Sequence, residues 1–196
     1  MLTPLQRRKL SRKFALLDTD HDGRLRQGDL QRVQAYLASM RSLDAGSPEG
    51  TRLVELFSSY WKALERSCDR DWDGTVTLEE WLHYHDLALW REAEALATSS
   101  HYHGTLEGAA GFLFELLDAD GDGRITRQEY RQFLSACGLD AHEAAECFMR
   151  LDLDGDGYLS RDEMLTLVDE FYFSQNEDAP GNWLFGAHEG GRPAEV

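Results

Sequence analysis

Three times along the chain a phenylalanine and a leucine three residues apart run directly into an aspartate, as Phe14-x-x-Leu17-Asp18, Phe114-x-x-Leu117-Asp118 and Phe148-x-x-Leu151-Asp152. Residues three apart share one face of a helix, so each motif predicts the last turns of an amphipathic helix with its apolar side toward a core. A fourth copy departs from this pattern and offers Trp61 and Leu64 ahead of Cys68. After each of four polar intervals the apolar stripe resumes, with Leu30, Val33 and Leu37; Trp81 and Tyr84; Tyr130, Phe133 and Leu134; and Met164, Leu167, Val168 and Phe171. The pattern predicts an all-α chain of eight helices packed as helix-loop-helix pairs.

Boundary signals agree with this reading. Thr3-Pro4-x-Gln6 combines an N-cap, a proline at the first helical position and a capping box, and Asp140-x-x-Glu143 repeats the box before the last pair. Stops are expected at Gly46-Ser47-Pro48, around Ser99 to Gly104, and at Gly138.

The polar intervals carry the chemistry. Asp-x-Asp-x-Asp-Gly opens at Asp18, Asp69, Asp118 and Asp152. A hard cation wrapped by one loop needs side-chain oxygens at positions 1, 3 and 5, a backbone carbonyl at 7 and a carboxylate at 12, with glycine turning the chain at 6. Four copies at this spacing make solvated turns an insufficient explanation and resemble EF-hand calcium loops. Loop two supplies Asp69, Asp71, Asp73, the Thr75 carbonyl and Glu80, with Thr77 at position 9. Loop three supplies Asp118, Asp120, Asp122, the Arg124 carbonyl and Glu129, with Thr126 at position 9; loop four supplies Asp152, Asp154, Asp156, the Tyr158 carbonyl and Glu163, with Ser160 there. Loop one begins equally well with Asp18, Asp20, Asp22 and the Arg24 carbonyl, but has Arg26 at position 9 and closes with Asp29. Aspartate is one methylene shorter than glutamate, so Asp29 is expected to offer one oxygen and to leave a weaker calcium site or one that holds magnesium. The chain is thus expected to take up to four Ca²⁺ ions.

Position 8 of each loop is Leu25, Val76, Ile125 or Leu159, suited to a short antiparallel contact between neighbouring loops. The loops are therefore expected to couple one with two and three with four, within one compact globule. Residues 1–97 are read as the N-terminal pair of hands, 104–175 as the C-terminal pair, and 176–196 as a tail. The tail presents Trp183-Leu184-Phe185, enough apolar surface to favour packing back on the core over fraying.

The formal charge of −16 comes largely from these loops, and four divalent ions would halve it. The metal-free chain repels itself and calcium relieves the repulsion. An acidic balance excludes a nucleic-acid role, since Arg7, Arg8, Lys9, Arg12 and Lys13 form a basic cluster on one short segment only. Cys68, Cys137 and Cys147 cannot all pair and lack zinc spacing, which points to a reducing compartment. The first residues show no leader pattern, no run is long enough to span a bilayer, and Leu2 excludes N-myristoylation, so a cytoplasmic monomer is expected. His83 and His85 project to different sides of a helix and make a poor chelate, and His101 with His103 reads as a solvated connector. No nucleophile motif or phosphate-binding loop accompanies the metal loops, so the chain is read as a non-enzyme.

The loop starts lie 51, 49 and 34 residues apart. With the length near two hundred residues, the Phe171-Tyr172-Phe173 exit and Asp29 at position 12 of loop one, this resembles the sarcoplasmic calcium-binding proteins and their bacterial relative calerythrin. The resemblance implies a calcium buffer or transporter. Those relatives usually carry a degenerate loop; here Asp69 to Glu80 is intact, so three-site stoichiometry does not transfer. Beyond Met1 the chain has only Met40, Met149 and Met164, unlike the methionine-rich surfaces of sensors, which ranks a regulator that releases its tail to a protein target second. A coelenterazine-type photoprotein ranks third. Trp61, Trp81 and Trp90 are explained by core packing, Trp72 faces outward, and the chain ends in Glu195-Val196 where those proteins end in proline.

Overall fold

The computed structural model describes the backbone of residues 1–44, 46–98 and 103–187, and side chains within these ranges except at 90–107 and 109. Eight helices follow one another: α1 Pro4–Leu17, α2 Gln27–Met40, α3 Pro48–Cys68, α4 Leu78–Thr98, α5 His103–Leu117, α6 Arg127–Ala136, α7 Ala141–Leu151 and α8 Arg161–Phe173. Trp90, His101 and the His103 side chain, all singled out above, lie outside the described set.

The N-terminal box forms as the sequence predicts: the Thr3 hydroxyl accepts from the Gln6 amide at 3.2 Å, and the Gln6 side chain accepts from the Thr3 amide at 2.9 Å. The Asp140 box is corrected. Asp140 caps α7 through the His142 amide at 2.7 Å, but Glu143 Oε1 instead accepts from the Arg12 guanidinium at 2.8 Å and the Ala187 amide at 2.9 Å. A cationic donor and a tail amide together offer this carboxylate more than the cap amide does.

Two-residue strands link the loops. β1 Arg24–Leu25 pairs antiparallel with β2 Val76–Thr77, setting Leu25 opposite Val76; β3 Ile125–Thr126 pairs with β4 Tyr158–Leu159, setting Ile125 opposite Leu159. These four aliphatic side chains are buried and join each ladder to the helical core. The core takes in Phe14, Phe114 and Phe148 with their partners Leu17, Leu117 and Leu151, together with the stripes of the outgoing helices.

The two halves interlock: α2 packs on both α3 and α6, α5 on α8 and α3, and α1 on α4 and α8. After α8 the chain turns through a 3-10 segment, Pro180–Trp183, that lies against α8 and α7. Trp183, Leu184 and Phe185 are buried there. A side chain at Gly181 would collide with the Leu167 carbonyl, so only glycine permits this approach. Tyr130 Oη shares its hydroxyl between the carbonyls of Trp183 and Leu184, and the Arg150 guanidinium lies 4.0 Å from the centre of the Trp183 ring.

Lys9 of α1 fastens this arrangement. Its ammonium, 1% exposed, donates to the carbonyls of Glu170 (3.0 Å) and Ser174 (3.3 Å) and to Asn182 Oδ1 (2.8 Å). Asn182 completes its bonding with the carbonyls of Asn176 and Glu177. Burial lowers the Lys9 ammonium to about 8, against the pull of Glu170. Cys68, Cys137 and Cys147 are free and buried, and burial raises each thiol to about 12, which leaves them as unreactive packing groups.

His85 is buried against Trp81, with ring centres 4.4 Å apart and Nδ1 donating to the Trp81 carbonyl at 2.8 Å. Burial, then the Lys13 charge, lower the imidazole from 6.5 to about 3 despite that bond. The unfolded chain therefore binds more protons between these values, and stability falls as pH drops through the window. In excess calcium, the wild type should lose stability relative to His85→Gln by about 1.4 kcal/mol per pH unit below 6.5. Urea unfolding at pH 7, 6 and 5 measures this, and parallel curves for the two proteins would contradict it.

Candidate metal centres

Each loop begins where an incoming helix ends. The amides of Asp18, Asp69, Asp118 and Asp152 still bond to carbonyls four residues back, and their side chains then fold over the loop. The first aspartate accepts from the glycine amide at position 6 in all four loops: Gly23 at 2.9 Å, Gly74 at 3.0 Å, Gly123 at 3.1 Å and Gly157 at 3.0 Å. These glycines have φ between 77° and 90°, the left-handed turn anticipated at position 6. Position 4 is left-handed as well, with φ of 57° at His21, 61° at Trp72, 73° at Gly121 and 75° at Gly155. Loops three and four use glycine for this turn, and loops one and two accept a strained side chain there. Trp72 is 76% exposed.

The position-12 carboxylate is held identically in every loop, by the amides of positions 2 and 9. Glu80 accepts from Arg70 at 3.0 Å and Thr77 at 2.8 Å; Glu129 from Ala119 at 2.8 Å and Thr126 at 2.7 Å; Glu163 from Leu153 at 2.9 Å and Ser160 at 2.8 Å. The shorter Asp29 reaches the same two amides, of Thr19 at 3.2 Å and Arg26 at 2.8 Å. In loops two to four the position-9 hydroxyl also caps the outgoing helix, whereas Arg26 turns its guanidinium to Asp22. Burial opposes charge on Glu80 and Glu163, yet these amides and hydroxyls outweigh it and leave both carboxyls below their usual range. The Thr75 hydroxyl and amide do the same for Asp73, and the Arg26 guanidinium for Asp22.

Carboxylate oxygens gather in four triads, each with its oxygens within 4.8 Å of one another: Asp18, Asp20 and Asp29; Asp69, Asp71 and Asp73; Asp118, Asp120 and Glu129; Asp152, Asp154 and Glu163. Oxygens so spaced can share an ion about 2.4 Å from each, the calcium distance, and an all-oxygen donor set suits a hard cation. Asp22, Asp122, Asp156 and Glu80 stand outside these triads. The three aspartates accept instead from the position-7 amides of Arg24, Arg124 and Tyr158, each at 2.9 Å.

Loop one carries a feature the sequence reading missed. Arg32 Nη2 bridges Asp20 at 2.7 Å and Asp29 at 2.5 Å, while its Nε donates to Thr19 at 2.7 Å. Arg24 crosses the pair of loops to Asp73 at 3.1 Å. Arg32 stands three residues beyond Asp29 on α2, a spacing that predicts an ion pair and was the signal available in the sequence.

Comparison with known proteins agrees with this geometry. Residues 107–173 match the family model of the EF-hand domain pair. Calerythrin from Saccharopolyspora erythraea is 28% identical over 175 residues, covering 89% of this chain and 96% of that protein. The solved sarcoplasmic calcium-binding protein of amphioxus superposes with a TM-score of 0.65 at 21% identity, covering 95% and 99% of the two chains. The coelenterazine-binding protein of Renilla muelleri, in its calcium-loaded apo form, gives 0.75 at 24% identity over 94% and 99%. At such identities the two structures speak to the fold. With four acidic triads on paired helix-loop-helix units, the chain is an EF-hand calcium-binding protein, similar to calerythrin and the sarcoplasmic calcium-binding proteins.

Proposed function

We propose that the protein is a calcium buffer or carrier of a reducing compartment, in which filling the loops relaxes an acidic chain without opening a groove for a target. The observation that carries this reading is the tail. Trp183, Leu184 and Phe185 occupy the space between α7 and α8 and are fastened by Lys9 and Tyr130 from other helices. A sensor exposes apolar surface on calcium binding, and a buffer barely opens. In this reading the ions are held by the side chains at positions 1, 3, 5 and 12 and the carbonyl at 7 of each loop, with Asp22, Glu80, Asp122 and Asp156 turning inward to join their triads.

Loop one is assigned the weakest calcium affinity. Asp29 is short, and the Arg32 guanidinium already occupies the carboxylates that an ion would need. Among the described residues, no arginine bridges the triads of loops three and four.

Three measurements test these statements. Calcium added to the metal-free protein with an apolar-surface dye should raise fluorescence little; a large calcium-dependent rise would favour the regulator that frees its tail. In calorimetry with magnesium present, Glu163→Gln should weaken one calcium site about tenfold or more, equivalent to roughly 1.4 kcal/mol, and disturb loop three through the β3–β4 ladder. Arg32→Ala should tighten the weakest site and leave the other three unchanged; a loss of affinity there would assign Arg32 a supporting role instead.

A further inference from the structure

A cavity of about 410 Å³ lies between α3, α4 and α5, closed from below by α1, α8 and Phe185. Its volume falls within the roughly 300–1,000 Å³ of small-molecule pockets. The wall is almost wholly apolar, with Tyr60 and Phe112 stacked 5.0 Å apart on one side and Trp81 and His85 on another. Core packing thus explains only part of the role of Trp81, which also faces this space.

One cation stands in that wall. Lys13 Nζ bonds to the Tyr172 hydroxyl at 2.9 Å and otherwise faces ring centres of Phe185 at 4.8 Å, Tyr172 at 5.5 Å and Trp81 at 5.6 Å. No carboxylate among the described residues pairs with it. The contrast with Lys9 on the same helix is informative, since Lys9 spends its three donors on three fixed acceptors while Lys13 keeps donors for something else. An ammonium among rings and aliphatic side chains, with one neutral hydroxyl for company, is an incomplete ion pair.

We propose that the cavity binds an amphipathic monocarboxylate, its apolar body filling the space between α3 and α5 and its carboxylate completing the ion pair with Lys13. Burial of the body supplies affinity and the charge-assisted bond supplies selectivity. The acidic surface disfavours anions generally, so recognition depends on Lys13 in the cavity wall. His85 is held neutral and adds no competing positive charge.

The test uses the full chain in calcium, titrated with the fluorescent carboxylate cis-parinaric acid and with its methyl ester, which has the same body without the charge. The acid should bind saturably, one per chain and at least about tenfold tighter than the ester, as expected of a bond to a charged group. Lys13→Met should abolish that preference by weakening the acid alone. Ala88→Trp, which fills the cavity from α4, should weaken acid and ester alike, with calcium stoichiometry and circular dichroism as folding controls. Absence of saturable binding, equal binding of acid and ester by the wild type, or undiminished binding to Ala88→Trp would each overturn the proposal. The acid-to-ester ratio of the wild type decides the question even if a variant fails to fold.

Discussion

The pair of amide bonds on each position-12 carboxylate governs the rest of the molecule. One amide belongs to the second residue after the incoming helix, the other to the residue just before the outgoing one. A carboxylate tied to both constrains the angle between the two helices of a hand. The ladders β1–β2 and β3–β4 then fix one hand against its neighbour. Loop chemistry thereby becomes helix geometry, and helix geometry determines which apolar stripes can meet.

This preorganisation has a cost, since it gathers like charges. Each triad holds three carboxylates within 4.8 Å, in a chain of formal charge −16. Carboxylates kept ionised by hydroxyl and amide donors at Asp73, Glu80 and Glu163 strengthen the attraction for a divalent cation as well as the repulsion in its absence. In the N-terminal pair arginines from the chain itself offset some of that repulsion: Arg32 between Asp20 and Asp29, Arg26 on Asp22, Arg24 on Asp73. The two halves of the globule therefore bring the same loop design to calcium with different internal competition.

Closure comes from a second set of forces. The tail contributes Trp183, Leu184 and Phe185 to the core, and the polar groups it brings along are matched to Lys9, Tyr130 and Glu143 from three helices. A buried ammonium with three well-placed acceptors is tolerated because its bonding is complete. A few residues further along α1, Lys13 is half-buried at the cavity wall and bonds to the Tyr172 hydroxyl. The same helix face thus fastens the structure at one point and lines the cavity with a cation at the next.

How much of this was legible depends on the range over which each interaction acts. The four acidic triads, the Thr3 cap, the eight helices and the pairing of Leu25 with Val76 and Ile125 with Leu159 follow from spacings of a few residues, where bond geometry leaves few alternatives. Glu143 shows the limit, because its local box partner lost to a guanidinium 131 residues away, a competitor that sequence spacing cannot reveal. Arg32 lay within reach of an i, i+3 reading, but that it bridges two ligand positions required the folded loop. The cavity and the different fates of Lys9 and Lys13 were decided by tertiary structure alone, since both are basic residues on one helix and differ only in what α8, α4 and the tail place opposite them.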